Sequence, residues 1–262
     1  EHPIAQVVLD IQATHLGQTF DYYVEEKYSE DAQPGVMVRV RFGGQRVNGI
    51  VWNRTDTSET PESSLRFIER VVSDRVLVPA SMRNDVTLIA DAFGGTRANI
   101  LRLAVPARVA RVEQEQRLGN RTNIEKNRRR ESLAEVERES YEQLQRQYGN
   151  INLLHEALES QRFQSFVFDP LPGADHWLQC AAWMVVLALL QGKPAVLVLP
   201  TMREIEDMAE TLQAIGLRPF APTQSSNGAY DGDFAILNAQ MAPGERYRAY
   251  LATREGQVRC VI

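Results

Sequence analysis

The spacing of hydrophobic residues changes twice along this 262-residue chain, and these changes constrain the fold more than any other feature. Before Ser81 apolar and polar residues alternate, which indicates short β-strands with one buried face. From Ser81 the apolar residues recur every three to four positions, which indicates amphipathic helices. After residue 166 extended and helical segments alternate, as is typical of a parallel sheet with helical connections. The chain is therefore expected to hold more than one domain of mixed α and β structure.

The clearest predicted strand is Val36–Phe42, in which four apolar residues at alternate positions share one face. A Pro-Gly pair precedes it, and the Gly-Gly pair after it can turn the chain into a partner strand at residues 47–52. Residues 65–72 form a further predicted strand after a polar loop. We expect these segments to build a small, half-buried sheet or barrel.

The first helix is predicted to begin at Ser81, a candidate N-cap, and to stop at the Gly-Gly pair after Phe93. Thr96 can cap a second helix that ends before Pro106. Residues 113–130 are polar and aperiodic, which predicts a linker or flexible loop. Helical spacing then resumes, and two helices followed by extended residues 163–168 would suit a winged helix.

The last part of the chain holds extended segments at residues 166–168, 195–199, 234–237 and 259–262, with helical segments between them. This order predicts a parallel, doubly wound sheet. Its last strand reaches the end of the sequence, so the sheet is expected to be partial. The predicted domains are residues 1–110, 111–163 and 164–262.

Charge and cysteine content exclude several classes of function. Lys plus Arg number 29 against 34 Asp plus Glu, a net charge of −5, so any nucleic-acid site must be local. Two cysteines and four scattered histidines cannot build a disulfide framework or a four-cysteine zinc site. The first residues show no basic region followed by an apolar one, so we expect no secretory signal. The longest apolar run, at residues 180–190, is shorter than the roughly 20 residues of a membrane helix. We expect a cytoplasmic protein with reduced thiols and no membrane partner.

Several fragments resemble a known family. QTFDY (18–22), PGVMVRVRFG (34–43), GIV (49–51) and ILRLAVP (100–106) resemble the N-terminal DNA-binding domain of the PriA family, the bacterial primosomal replication-restart protein N′. APGERYRAYLATREGQVRCVI (242–262) resembles the first helicase lobe of that family. The family joins a domain that binds the 3′ end of a leading strand, a winged helix, and a two-lobe ATP-driven helicase with a zinc-binding insertion. The resemblance therefore implies a multidomain α+β and α/β chain with a small β-barrel-like DNA-binding domain, a winged helix and a partial parallel-sheet helicase lobe.

Asp21 is the sharpest candidate site residue. Strand alternation places Phe20 and Tyr22 on one face and Asp21 on the other. A carboxylate beside DNA is useful only if it accepts hydrogen bonds from a base or a terminal hydroxyl, and the resemblance implies that Asp21 contacts the terminal base. The ordinary alternative is an exposed strand residue.

Arginines supply the other candidates. Arg66 stands where the family has a lysine near the terminal phosphate, and its alternative is the solvated side of a strand. Arg39 and Arg41 form a cationic stripe or a plain polar face, and residues 128–130 form a phosphate-binding run or a solvated linker. The full set of predicted DNA-binding residues is Phe20, Asp21, Tyr22, Gly35, Arg39, Arg41, Gly49, Arg66, Arg128, Arg129 and Arg130.

The segment where an ATP site would lie departs from the family. A P-loop requires a strand, a Gly-rich turn, a Lys and then a helix. Residues 166–177, FVFDPLPGADHW, have no Lys, two prolines that lack amide donors, and two aspartates that would oppose phosphate. Gly192-Lys193 follows a helix instead of a strand. We expect no ATP hydrolysis and no cofactor in this chain, and the family's zinc insertion would lie beyond residue 262.

The resemblance and these departures predict a DNA-binding primosomal protein that acts in restart of stalled replication forks. It would recognise fork DNA and the leading-strand 3′ end, and would help reload the replicative helicase without being a helicase itself. The implied partners are forked and single-stranded DNA, primosome proteins and single-stranded-DNA-binding protein. Two alternatives stay open: an active ATP-dependent 3′-to-5′ DNA helicase, and a protein-interaction scaffold whose DNA contact has decayed.

Overall fold

A computed structural model describes residues 3–11, 18–115, 123–160, 162–223 and 229–262 of the chain. The chain divides into two compact units, residues 1–108 and 109–262. In the described residues no helix combines the length and the apolar character needed to cross a bilayer.

The first unit is built on one six-stranded sheet. Its strands are β1 (Ile4–Leu9), β2 (Phe20–Tyr23), β3 (Val36–Phe42), β4 (Gln45–Thr55), β5 (Arg66–Phe67) and β6 (Arg70–Val76). The spatial order is β5-β2-β1-β4-β3-β6, so β5 and β6 occupy opposite edges although only two residues separate them in the chain. Ile68 N–H donates to Tyr23 O and Glu69 N–H to Arg39 O, which joins both edges to one short segment. The sheet is therefore curled, and the prediction of a small barrel-like domain is confirmed at this level.

Two of the predicted strands form as expected, and a third does not. β3 has its predicted bounds, and the turn at Gly43 and Gly44, with φ of 56° and 81°, pairs Phe42 with Gln45. The single strand predicted at residues 65–72 is wrong, because the chain changes partner from β2 to β3 at Ile68. Ile68 is buried, and its side chain enters the core at this change of edge.

The core of this unit lies inside the curl. Alternate residues of β1, β2, β3 and β4 enter it, as the period-2 pattern predicts. The buried members are Ala5, Val7, Leu9, Tyr22, Val24, Ala32, Val38, Val40, Val51 and Ile68.

Two helices, α1 (Ala80–Phe93) and α2 (Arg97–Ala104), follow the sheet. Gly94 ends α1 in the left-handed conformation, and Thr96 caps α2 by accepting a hydrogen bond from Asn99 N–H, both as predicted. The predicted cap at Ser81 is wrong, because α1 already begins at Ala80 and Pro79 precedes it without a side-chain cap. A proline at this position loses no helical hydrogen bond, so the helix can start earlier than the serine.

The second unit begins with four helices: α3 (Ala110–Glu113), α4 (Asn123–Gln147), α5 (Ile151–Glu159) and α6 (Ala174–Leu190). The prediction of a linker or loop at residues 113–130 is wrong for residues 123–130, which belong to α4. Arg, Glu and Lys have high helix propensity even where no apolar stripe is present, and residues 123–130 contain neither Gly nor Pro. The lack of apolar periodicity in this segment therefore did not indicate a loop. α4 is anchored further along, where Leu133 packs with α6.

The remaining elements form a small parallel sheet with helices. They are β7 (Ala195–Val196), α7 (Met202–Ala214), β8 (Ala221–Pro222), β9 (Tyr230–Asp231), β10 (Phe234–Ala235), α8 (Pro243–Arg254) and β11 (Cys260–Val261). β11 lies between β10 and β7 and is parallel to both, as the alternating pattern predicts. Residues 166–168 stay outside every described sheet. The winged helix stays a prediction, since the described residues between 109 and 163 are helices and connections.

Candidate nucleic-acid interface

The strand β2 separates its side chains between the core and the outer surface. Tyr22 is 4% exposed, its hydroxyl donates to Arg41 O at 3.1 Å, and burial raises its pKa to about 12. Phe20 packs edge-on against Phe42 with ring centroids 4.7 Å apart. Both side chains therefore fix β2 against β3 inside the curl.

Asp21 points to the other face of β2, where it is half-buried. Its Oδ2 accepts a hydrogen bond from the Ser58 hydroxyl at 2.5 Å, and Ser58 Oγ in turn accepts from Thr60 N–H at 3.0 Å. A carboxylate has about four lone-pair sites, so one serine leaves it able to accept further hydrogen bonds. Ser58 thus orients Asp21 without exhausting it as an acceptor.

An aromatic pair lies on the same face as Asp21. Tyr23 is two residues further along β2, and its ring centroid lies 5.3 Å from that of Phe67 on the neighbouring β5. Phe67 is 54% exposed, although a phenyl ring gains most from burial. The sheet edge therefore presents an oriented carboxylate beside an exposed aromatic surface, and we call Asp21, Ser58, Tyr23 and Phe67 the edge site. Sequence reasoning missed Ser58, Tyr23 and Phe67.

Arg66 lies at the same edge of the sheet but belongs to the opposite face. It stands opposite Tyr22 in the parallel β2–β5 register, and its side chain is exposed. Its charge partly counteracts the effect of burial on the Tyr22 pKa. A cation at this edge is accessible to a phosphate that passes the end of β5.

A cluster of cations covers the outer side of β3, β4 and β6. Arg39 stands opposite Arg70 on β6, and Arg41 stands opposite Arg46 on β4, one row further along the strands. We call these four arginines the arginine face. Sequence reasoning found Arg39 and Arg41 but not the other two, because the strand register brings Arg46 and Arg70 beside them.

The arginine face holds more positive charge than its own partners neutralise. Glu69 pairs with Arg41 at 2.8 Å and with Arg46 at 2.9 Å. The hydrogen bond from Arg41 holds the pKa of the Glu69 carboxyl below its ordinary range. Arg39 Nε donates to the neutral Asn48 Oδ1 at 3.0 Å. Within the described residues no carboxylate pairs with Arg39 or Arg70. Like charges directly opposite each other destabilise a sheet, so this face favours an external anion.

The two glycines among the predicted site residues are buried. Gly35 has a φ of 96°, and a Cβ there would lie 2.2 Å from Val78 O. A Cβ at Gly49 would lie 2.5 Å from Val7 Cγ1. Close packing at both positions, together with the left-handed backbone at Gly35, explains why they lack a side chain.

The arginine run at residues 128–130 lies on α4. Arg129 donates to Asp233 Oδ2 at 2.7 Å and to Gly216 O at 2.8 Å, while Arg130 is exposed. The side chain of Arg128 lies outside the described residues. Arg129 thus joins α4 to the segment before β10. Arg130 is the member of the run whose exposed side chain is accessible to an external phosphate.

The segment before α6 lacks the amide donors and positive charge that would bind a nucleoside triphosphate. Residues 163–171 pair with no strand, and Leu171 N–H donates to Tyr148 Oη at 3.0 Å. Pro170 and Pro172 have no amide hydrogen, and Asp175 lies in the first turn of α6, where its charge opposes a phosphate. Lys193 Nζ donates to the carbonyls of Leu158 and Ser160, at 2.8 and 3.2 Å, so it serves as a structural cation.

The described residues also lack the usual features of metal or thiol chemistry. No group of three or more His, Cys, Asp or Glu side chains in this part of the chain could hold a metal ion. Cys180 and Cys260 are buried free thiols, and burial raises their pKa values to about 11 and about 12. A thiol with such a pKa is a poor nucleophile near neutral pH.

Comparisons with known proteins give one family match and several similar proteins. Residues 6–106 match the PriA 3′ DNA-binding domain (3′BD). Proteins named probable replication restart protein PriA from Mycobacterium tuberculosis and Mycobacterium bovis are 32% identical over 255 residues. The Mycobacterium leprae protein of that name is 31% identical over 263 residues. These matches cover 96% of this chain and 34 to 35% of the relatives, so the chain spans about a third of their length. The chain belongs to the PriA family of replication restart proteins.

Proposed function

We propose that this chain binds DNA at stalled replication forks and recognises the 3′ end of the leading strand at the edge site. The observation that carries this proposal is the half-buried Asp21 carboxylate, oriented by Ser58 beside the exposed ring of Phe67. A terminal nucleotide has an exposed base face, a base edge with donors, and a free hydroxyl. The aromatic ring supplies stacking, and the carboxylate accepts from the base or the hydroxyl.

The arginines supply affinity that does not depend on sequence. The arginine face and Arg66 offer charge to phosphates, which position a strand without reading it. The carboxylate of Asp21 repels those same phosphates, so it favours a strand that ends there over one that continues. This division of roles gives preference for an end together with general affinity for forked and single-stranded DNA.

For the second unit we propose a role that does not include ATP hydrolysis. The misfit of residues 163–175 to a triphosphate supports a chain that neither hydrolyses ATP nor unwinds DNA. Its parallel strands and helices are consistent with a partial helicase lobe, and the helices before them with a winged helix. The chain would then act by recognition, and would help reload the replicative helicase through primosome proteins and single-stranded-DNA-binding protein.

The decisive experiment changes Asp21 and compares two forks. Fluorescence anisotropy would measure binding to a fork with a free leading-strand 3′ hydroxyl and to the same fork with a 3′ phosphate. A hydrogen bond to a charged group is worth about 1.5 to 3 kcal/mol, so Asp21→Ala should lower the preference for the free end about tenfold to a hundredfold. Ser58→Ala should lower it by a smaller factor, because the carboxylate loses its orientation.

Asp74→Ala is the matched control, since it removes an exposed carboxylate from the same unit. Simple loss of negative charge should tighten binding to both forks equally, and the control should show only that effect. A folded Asp21→Ala protein with an unchanged ratio between the two forks would remove end recognition from the proposal, and a wild-type chain that binds neither fork would favour a protein-interaction scaffold.

A further inference from the structure

A cavity of about 460 Å³ lies in the first unit, between the outer face of the sheet and α2 with the residues that follow it. Its floor is apolar and preformed. Val8 and Ile50 line it from the sheet, and Ala98 and Leu101 line it from α2. All four residues are buried. A cavity of this size is typical of small-molecule sites and has room for a single nucleoside. None of its lining residues belongs to the edge site.

Polar groups stand at defined places around this floor. Asn48 lines the cavity, and its Oδ1 accepts from Arg39 Nε, which fixes the amide and leaves its NH₂ group as a donor. Arg102 and Arg108 also line the cavity, and Arg102 Nε pairs with Asp10 at 2.6 Å. An apolar floor with an oriented amide matches a base, which has apolar faces and a polar edge.

The cavity continues into the arginine face through Asn48. This residue lines the cavity and stands opposite Arg39 in the β3–β4 register. Neighbouring strands lie about 4.8 Å apart and successive outward residues of one strand about 7 Å apart, so the four arginines cover a surface next to the cavity mouth. The arginine face and Arg102 together hold five guanidinium groups, and within the described residues the carboxylates of Asp10 and Glu69 pair with three of them. The surroundings therefore favour an anionic ligand.

We propose that this cavity binds one unstacked nucleotide of a DNA strand, whose flanking phosphates lie on the arginine face. The inference rests on the proposed function only in taking DNA as the source of the nucleotide. A strand gains from both regions at once, whereas a free mononucleotide reaches the arginines with one phosphate group. A DNA strand bound in this cavity can continue past the protein in both directions, so this contact is separate from end recognition.

The test uses the full chain and a single-stranded oligonucleotide with a 3′ phosphate, which excludes the edge site as the source of any effect. One internal base is 2-aminopurine, whose fluorescence reports unstacking. Ala107→Trp places a large ring at an exposed position that lines the cavity, and Val105→Phe is a second occluding variant on an extended backbone. Leu103→Trp is the matched control, since Leu103 is 90% exposed on α2 and does not line the cavity.

Both occluding variants should bind the blocked oligonucleotide about tenfold more weakly and lose the 2-aminopurine signal, as expected for the loss of one base contact. Leu103→Trp should behave as the wild type. Arg39→Ala with Arg70→Ala should lower the salt slope by about 1.4, at roughly 0.7 per phosphate on a single strand. Arg203→Ala, an exposed arginine on α7, should leave the slope unchanged.

Wild-type affinity and signal in both folded occluding variants would overturn the proposal. Deoxyadenosine monophosphate is the probe for a free nucleotide, and we expect it to bind far more weakly than the oligonucleotide. Equal affinity for the two would overturn the assignment to a DNA strand. Asp21→Ala should not weaken binding to the blocked oligonucleotide, so a failure of the cavity and a failure of the edge site give different results.

Discussion

At the scale of single residues, the glycines that precede and follow β3, Gly35 and Gly43, should differ in how much stability a substitution by alanine costs. Gly35→Ala places a Cβ 2.2 Å from Val78 O on a backbone with a φ of 96°, whereas the space around Gly43 is open. Strain and overlap together should cost Gly35→Ala about 3 kcal/mol of unfolding free energy. Gly43→Ala bears only the conformational penalty, about 1 kcal/mol.

Urea denaturation of the two variants measures this difference directly. A Gly35→Ala protein that unfolds at the same urea concentration as Gly43→Ala would show that β3 and the segment around Val78 can separate without loss.

Sequence reasoning reached one residue of the edge site and missed its neighbours for a physical reason. Period 2 along β2 is a local property, so it correctly placed Tyr22 inward and Asp21 outward. The Ser58 that orients Asp21 lies 37 residues away, in a loop without periodicity. Phe67 was placed in a strand, but its partner Tyr23 depends on a parallel pairing that local patterns do not encode.

At the scale of elements, Arg129 and Arg130 should have separate effects although they are adjacent on α4. Arg129 pairs with Asp233, whose side chain is 8% exposed, so Arg129→Ala leaves a carboxylate with fewer partners in a nearly dry site. We expect a loss of about 1 to 3 kcal/mol, limited because Arg218 still donates to Asp233. Arg130→Ala should change stability by less than about 0.5 kcal/mol.

Thermal unfolding gives the stability of each variant, and the salt dependence of binding to duplex DNA gives its phosphate contacts. If Arg130 binds a phosphate, its loss should lower the salt slope by about 0.9. An unchanged slope with a stable Arg130→Ala protein would return this residue to an ordinary solvated helix position.

The segment before α6 allows a second prediction at this scale. With Pro170, Pro172 and Asp175 where a phosphate cradle would need amides and positive charge, the chain should not bind ATP with magnesium. Melting temperature should be the same with and without the nucleotide, and forked DNA should not stimulate phosphate release. Saturable binding of ATP in calorimetry would contradict this and would favour the active helicase.

Strand bounds were predicted well where the segment keeps the same neighbouring strand along its length, and poorly where the neighbouring strand changes within the segment. β3 pairs along its length, and its predicted bounds are correct. Residues 65–72 were predicted as one strand because their apolar pattern is continuous, yet the chain crosses from one sheet edge to the other within them. The polar start of α4 was predicted as a loop because its helix propensity leaves no periodic signal.

At the scale of the whole molecule, net charge hides the local arrangement of charge. The chain has a balance of −5, yet strand register gathers Arg39, Arg41, Arg46 and Arg70 around a single Glu69. Composition therefore restricted any nucleic-acid site to a local patch but could not locate it. The position of the patch depends on pairings between strands, which only the folded chain provides.

The last prediction concerns the first unit as an independent domain. Residues 1–108 form a compact unit with their own core, and the 3′ DNA-binding domain match lies entirely within them. The edge site, the arginine face and the cavity also use only these residues. A fragment of residues 1–108 should therefore unfold in one cooperative urea transition, as domains of this size usually do. It should also keep the wild-type ratio of affinities for free and phosphorylated 3′ ends, within about twofold, because a single hydrogen-bonding site sets that ratio. The same fragment with Asp21→Ala is the control and should lose the ratio. A fragment that folds cooperatively but binds both ends equally would show that end recognition requires residues 109–262, and would move the recognition site away from β2.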